Sequence, residues 1–466
     1  MIDPFTSAVE LAAAIRRKEV SPVEVAECYL DRINRFDPWF TAFCHRADDD
    51  VRKAAAAAED AVARDEDLPP FHGVPLPVKD LVDVAGWPTS YGSAGASITA
   101  KSTSDPVVQR FTKAGFVLLG KTTTSEFGAV PFTENKTLGT SRNPWNPDRT
   151  PGGSSSGAGV AVAAGMAPIA HAEDGGGSIR IPASCTGLVG LKPTRGLVTN
   201  AVVECEGFGT SGVLTRTVAD TAAVLNVLAR HDPGAWWSPP TRSVECADEK
   251  PLRIGVLSDS PLDSITVDPA CRTAVDIAVR ALEEAGHHIV DTPLPLPPFH
   301  ELIGAFTTVW NTAAAGVSLA DPDNIEPHNR ILRDAARAVD SWTYAQAVHQ
   351  TQHLSRRIVE GFLANFDLLV TPTMACLPPL IGAWRPGTDE NPLLALVNSY
   401  PMGVFTALFN VTGQPAISLP LHHDEATNLP VGVQIVAAPW REDLLLQVSR
   451  TLELALPWAD RRPTAV

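Results

Sequence analysis

The 466-residue chain has seven cysteines and twelve histidines, yet it contains no Cys-x-x-Cys pair, no His-Glu-x-x-His and no comparable ligand cluster. Neither a zinc ribbon nor a dense disulfide framework is supported, so Cys28, Cys44, Cys185, Cys205, Cys246, Cys271 and Cys376 read as buried free thiols. No metal and no cofactor is expected. The chain also lacks a basic excess: 37 Lys and Arg stand against 53 Asp and Glu, a net charge of −16. That balance argues against nucleic acid or an anionic membrane as the main partner. Nor is there an apolar run long enough to span a bilayer. The most apolar stretch, Gly157 to Ala172, is broken by glycines and Pro168 and falls short of the about 20 residues that a spanning helix needs. The opening "MIDPFTSAVELAAAIRRKEV" has no basic segment ahead of an apolar one. It reads as a helix rather than a leader, and the cytoplasm is the compartment expected. Internal repeats and low-complexity tails are absent. With 44% hydrophobic and 19% charged residues, what is left is a folded globular chain holding two or three domains or one large α/β unit.

The order of patterns is helical, then mixed. Ser21-Pro22-Val23-Glu24 combines an N-cap serine, a proline at the first helical position and an acid at the third, which predicts a helix through Arg35. Ala54 to Ala63 predicts a second helix on propensity. From His72 to Gly86 the pattern shifts to short apolar runs bounded by Gly and Pro, and "SDPVVQRFTKAGFVLLGKT" predicts a helix, a stop at Gly115 and a buried strand from Phe116 to Leu119. Such alternation predicts an α/β sheet with helices on its faces. A Pro- and Trp-rich stretch from Asp232 to Pro251 reads as a long surface connection, followed by a more helical region from Val267 to Phe366. "FDLLVTPT", "PAISLPL" and "PVGVQIVAAP" supply late strands, so one sheet can draw strands from both ends of the chain.

Two glycine-serine clusters carry the chemistry: "TPGGSSSGAGVAVAAG" from Thr150 and "HAEDGGGSIRIPAS" from His171. A flexible linker does not explain the first, because it runs straight into an Ala/Val segment that needs burial. Gly153-Ser154-Ser155-Ser156-Gly157 matches Gly-x-Ser-x-Gly, the strand-turn-helix elbow of α/β-hydrolases with Ser155 as nucleophile, but "NPWNPDRTPG" before it holds three prolines and no strand. No Lys-Ser/Thr follows the glycines as a phosphate loop requires. A third alternative joins both serine sites to Lys79 in "VPLPVKDLVDV". Serine needs a base, and a lysine serves when burial disfavours its ammonium form. The plain alternative for Lys79 is a lysine snorkelling from a strand end.

Together these segments resemble the amidase signature family of serine hydrolases. The resemblance rests on the two clusters, on "GLVGLKPT" after them, on "HGVPLPVKDLVDVAG" upstream, and on "FNVTGQPAISLPL" and "LPVGVQIVAAPWREDLLL" near the end. It is dense over about residues 70 to 225 and looser over 365 to 450. Ser154 and Ser178 lie 24 residues apart, the family's spacing. The resemblance implies Ser178 as nucleophile, Ser154 as a bridging serine in a Gly153–Ser154 cis peptide, and Lys79 as the base. It also implies an oxyanion hole among the amides of Gly175, Gly176, Gly177 and Ser178, where a run without β-carbons lets the backbone approach the substrate. Ser155 stands beside this triad, and Asp174 with Arg180 reads as an ion pair bracing the loop.

The fold implied is the amidase signature fold, an α/β architecture with a large mixed β-sheet core covered by helices on both faces. Residues 1–66 would form an N-terminal helical segment and 67–466 the amidase signature domain, with its catalytic centre at 70–225, a more helical insertion at about 267–366, and strands of 366–450 returning to the same sheet. The activity implied is hydrolysis of an amide C–N bond in a small-molecule substrate, without nucleic acid or membrane; a homodimer stays open. Two positions depart from the commoner family pattern: Glu173 stands where Thr is usual, and Gly175 where Thr or Ile is usual. "DGGGSIRIPAS" is most similar to the subgroup that includes the 6-aminohexanoate cyclic dimer hydrolase. The alternatives are the A subunit of a glutamyl-tRNA amidotransferase and an esterase using Ser155.

Overall fold

Ser7 and Ser21 each open a helix through a reciprocal cap, the serine hydroxyl accepting from the amide of the third helical residue, Glu10 or Glu24, while that glutamate's carboxylate accepts from the serine's own amide. In the computed structural model, which describes residues 2–64, 66–200, 205–241, 243–245, 247 and 250–466, these helices are α1 (Ala8–Arg16) and α2 (Pro22–Phe40). The second outruns its predicted end at Arg35, because Phe36 and Phe40 prolong the buried stripe of Val25, Tyr29 and Ile33. Thr41, at φ +55°, ends it. After β1 (Phe43–His45), α3 (Asp48–Ala63) begins six residues earlier than propensity predicts, with Asp48, Asp49 and Asp50 in its first turn. Three acids there favour the positive end of the helix dipole.

The segment rich in proline yields β2 (Pro75–Lys79), and α4 (Pro106–Lys113) leads into β3 (Val117–Thr122). These strands make a small sheet of order β1-β3-β2, in which β2 runs parallel and β1 antiparallel to β3. Residues 1–66, expected as a helical segment, thus also supply an edge strand. A two-stranded ribbon follows, β4 (Glu134–Asn135) and β5 (Gly139–Thr140).

The remaining chain alternates strands and helices: α5 (Ser156–Ala163), β6 (Ala170–Asp174), α6 (Arg180–Thr186), β7 (Val189–Lys192), β8 (Thr210–Thr215), α7 (Val218–Leu228), β9 (Arg253–Val256), α8 (Pro269–Glu284) and β10 (His288–Val290). Then come α9 (Phe299–Gly316), α10 (Pro327–Ala338), α11 (Ser341–Asn365), β11 (Leu368–Pro372), the short α12 (Leu394–Val397), α13 (Tyr400–Gly403) and α14 (Ala407–Thr412), β12 (Ala416–Asp424), β13 (Leu429–Ala437) and α15 (Glu442–Ala455). An eight-stranded sheet takes the order β10-β9-β11-β13-β12-β7-β8-β6. Its β10, β9 and β11 are parallel neighbours, and the pairings from β11 to β6 are antiparallel. The sheet is mixed because the parallel strands are linked through helices, whereas β12 and β13 form a hairpin.

Strand alternation explains why helices cover both faces. Leu368 and Val370 of β11 share a buried cluster with Ala274, Val275 and Ala278 of α8, whereas Leu369 between them joins Phe362 of α11 and Phe409 of α14. Each face is apolar and needs its own cover. Helix α5 is buried on every side, as its unbroken small and apolar composition requires. The described cysteines Cys28, Cys44, Cys185, Cys271 and Cys376 are free thiols, buried or half-buried, Cys205 is buried, and Cys246 lies outside the described residues. Among the described residues, no helix is long and apolar enough to cross a membrane.

Candidate active site

Lys79 is the last residue of β2, and its ammonium does not reach solvent. The snorkelling alternative is therefore set aside. Lys79 Nζ donates to Ser154 Oγ at 2.8 Å and to the carbonyl of Glu173 at 3.4 Å. Burial pushes its pKa down to about 8, against the opposing pull of Glu173 and Asp174. The backbone N–H of Lys79 donates to Nδ1 of His171 at 3.3 Å. Burial, with Lys79 and Lys121 nearby, pushes that imidazole down to about 3, so a neutral ring packs beneath the lysine.

The three consecutive serines aim in three directions. Ser154 follows a cis peptide bond from Gly153 and meets Lys79. Ser155 Oγ is held by the backbone of Glu173, donating to its carbonyl at 3.3 Å and accepting from its amide at 3.4 Å. Ser156 Oγ donates to the carbonyl of Gly152 at 2.6 Å and accepts from Thr133 Oγ1 at 2.7 Å. Helix α5 presses so close to the small sheet that a β-carbon on Gly157 would collide with backbone at Ala42 and Thr123. No strand precedes Ser155, so the elbow geometry is not built.

Between β6 and α6 the chain turns through Gly175, Gly176 and Gly177 to Ser178. Asp174 and Arg180 brace this turn from below, with Arg180 Nη2 donating at 2.8 Å and Nε at 2.9 Å, both groups fully buried. Arg180 Nη1 also donates to Gln434 Oε1 at 2.6 Å, and Nη2 to Asn410 Oδ1 at 2.6 Å, which ties the turn to β13 and α14. Burial opposes ionisation of Asp174, but Arg180 and Asn410 outweigh it and hold the carboxyl well below the usual range. Asp174 Oδ1 also accepts from the amide of Gly177 at 2.8 Å. Of the four amides expected to hold an oxyanion, that of Gly177 is thus turned toward the brace, leaving Gly175, Gly176 and Ser178. At φ +133°, with Thr406 where a β-carbon would stand, position 177 admits only glycine.

Two cavities meet at Ser178. The more polar of the two, the polar cavity of about 110 Å³, is lined by Lys79, Ser154, Ser178, Glu173 and Asn200 together with apolar side chains such as Leu81 and Val198. An apolar one of about 330 Å³ is lined by residues such as Phe306, Leu332, Leu396 and Val404. Ser178, Gly128 and Trp310 face both. A hydrogen bond between the Ser154 and Ser178 hydroxyls is not formed among the described residues. Among the described residues, no group of three or more His, Cys, Asp or Glu is placed to hold a metal ion.

The amidase family model matches residues 24–446. The chain belongs to the amidase signature family. A 6-aminohexanoate-cyclic-dimer hydrolase of Paenarthrobacter ureafaciens is 36% identical to this amidase over 99% of the chain and 97% of the relative. Among solved structures, a 6-aminohexanoate cyclic dimer hydrolase complexed with substrate superposes at a TM-score of 0.91, with 34% identity and 100% of both chains covered. A bacterial aryl acylamidase superposes at 0.87, with 26% identity over 98% of this chain and 97% of that one. The amidase is a hydrolase acting on amide carbon–nitrogen bonds.

Sequence reasoning missed the roles of several residues in and behind this amidase site. His171 and Glu173 alternate on β6 and share a face with Lys79, a period-2 pattern that "HAED" carried openly. Asn200, Trp237 and Trp310 come from distant segments with no motif around them. Nothing in one dimension marked them.

Proposed function

We propose that the amidase cleaves its substrate through an acyl-enzyme on Ser178. Neutral Lys79 accepts the Ser154 proton along their 2.8 Å contact, and Ser154 accepts the proton of Ser178 as Ser178 Oγ bonds to the carbonyl carbon. The developing oxyanion is held by the amides of Gly175, Gly176 and Ser178. Collapse of the tetrahedral species breaks the C–N bond, and the proton returns through Ser154 to the departing nitrogen. Water then attacks the ester by the same relay, releasing the carboxylic acid. The observation that carries this reading is a buried lysine bonded to a serine on the wall of a cavity that also exposes Ser178.

The relay also orients the substrate. Its proton-carrying members, Lys79 and Ser154, line the polar cavity and are absent from the walls of the apolar one. The nitrogen that receives the proton therefore departs into the polar cavity, and the acyl part occupies the apolar one. A small-molecule amide of moderate size with an apolar acyl group is the substrate class proposed. The relatives that act on 6-aminohexanoate cyclic dimer support that size. Labelling with a fluorophosphonate, read by peptide mass spectrometry, tests the nucleophile: the adduct is expected on Ser178 and lost in Ser178→Ala. An adduct on Ser155 would overturn the assignment.

A further inference from the structure

Glu173 is the one carboxylate among the described residues that line the polar cavity, and the hydrolytic steps above make no use of it. Its backbone carbonyl receives Lys79 and Ser155, but its side chain is otherwise engaged. Glu173 and Ser211 are partners across β6 and β8. The single hydroxyl proton of Ser211 faces two acceptors, Glu173 Oε1 at 3.2 Å and Asn200 Oδ1 at 2.9 Å. Glu173 Oε2 has no hydrogen-bond partner among the described residues. An acid kept in a cavity with half of one donor is left short of counter-charge, and burial accordingly raises its pKa, against the opposing influence of Lys79 and Ser211.

In the form of the enzyme that accepts a proton, the neighbouring cations do not supply that charge. Lys79 is the base and is neutral in the form that accepts a proton. Lys121 is paired with Asp80 at 2.8 Å. Arg195, also on the cavity wall, turns its guanidinium to the carbonyls of Gly207, Asn410 and Val411 at 2.7–2.9 Å. Asp174 is bound to Arg180, and Asp105 adds only like charge. The same cavity presents the indoles of Trp237 and Trp310, whose faces attract cations. A carboxylate, an amide oxygen and two indoles lining one cavity make a site for an alkylammonium group.

We infer that Glu173 makes the enzyme selective for amides whose amine side carries a primary ammonium group, so that the amine released is a diamine or a similar cationic amine. The inference rests on the assignment of the amine side to the polar cavity. Hydrogen bonds to a charged group contribute about 1.5–3 kcal/mol, which corresponds to about 10- to 100-fold in kcat/KM.

Three matched amides test it: N-hexylhexanamide, the same amide with an ammonium at the end of the amine chain, and the same amide with the ammonium at the end of the acyl chain. The wild-type enzyme is expected to prefer the amine-side ammonium over the neutral amide by about tenfold or more, chiefly through KM. In Glu173→Gln that ratio should collapse to within about threefold. Equal rates on the two in the wild type, a ratio unchanged in the variant, or a preference for the acyl-side ammonium would overturn the inference. Calorimetric binding of 1,6-diaminohexane to Ser178→Ala and to Ser178→Ala/Glu173→Gln gives a reading that needs no turnover. Weaker binding to the double variant supports the site, and equal binding counts against it. Failure of the serine mechanism would show separately, as full activity in Ser178→Ala.

Discussion

Ser178 and Ser155 are both serines after glycine-rich runs, and their surroundings separate them. Ser155 Oγ is held on both sides by the backbone of Glu173, while Ser178 stands where the two cavities meet. Ser178→Ala should abolish amide hydrolysis with the fold intact, and Ser155→Ala should retain measurable turnover, both read as kcat with circular dichroism as the control. The reverse result would restore the elbow alternative. Lys79 sets the pH dependence. Its neutral form accepts the proton, so turnover should rise from acid to alkaline pH with a midpoint near the value of about 8 to which burial brings it. Lys79→Ala should flatten that rise and slow an anilide by about 10²–10⁴-fold. A matched phenyl ester should suffer less, because its leaving group departs without a proton. An anilide profile identical to wild type would reduce the lysine to a structural part.

The turn between β6 and α6 shows how one ion pair shapes an element. Asp174 accepts from the amides of Gly177 and Ile179 as well as from Arg180, so it draws the loop around the carboxylate. Arg180→Met would leave a buried carboxylate without its partner, at a cost of about 3–5 kcal/mol, measurable by urea denaturation at neutral pH. The sign of the pH effect follows from the depressed pKa of Asp174. The stability it contributes is present above the unfolded value of about 3.9 and is lost as pH falls below it toward the folded one. The variant should therefore lose less stability than the wild type over that acid range. A variant as stable as the wild type at neutral pH would remove the brace from the account. "DGGGSIR" made this pairing legible in advance, because acid and base flank the glycines closely. The turn of the Gly177 amide toward the brace was not legible, since it depends on the loop's backbone angles.

Across the whole molecule, the apolar cavity is assembled from the loop near Gly128, helices α9 and α10, and residues 393–411. Lengthening the acyl chain of a linear amide should raise kcat/KM by about fourfold per methylene, the equivalent of about 0.8 kcal/mol, until about 330 Å³ is filled. A flat series would show that the acyl group lies elsewhere.

The features legible in the chain before folding are local: capped helix starts, β11, β12 and β13 as buried apolar runs, and the glycine-serine segments whose spacing resembles one family. Short-range propensity and motif spacing suffice for these. Only the folded chain sets Lys79 on a small sheet separate from the eight-stranded one, brings its ammonium to Ser154, and places Trp237, Trp310 and Asn200 around the same cavity as Glu173. Those neighbours are brought together by the burial of both faces of a sheet. The packing of distant segments sets which side chains meet, and no local pattern records it.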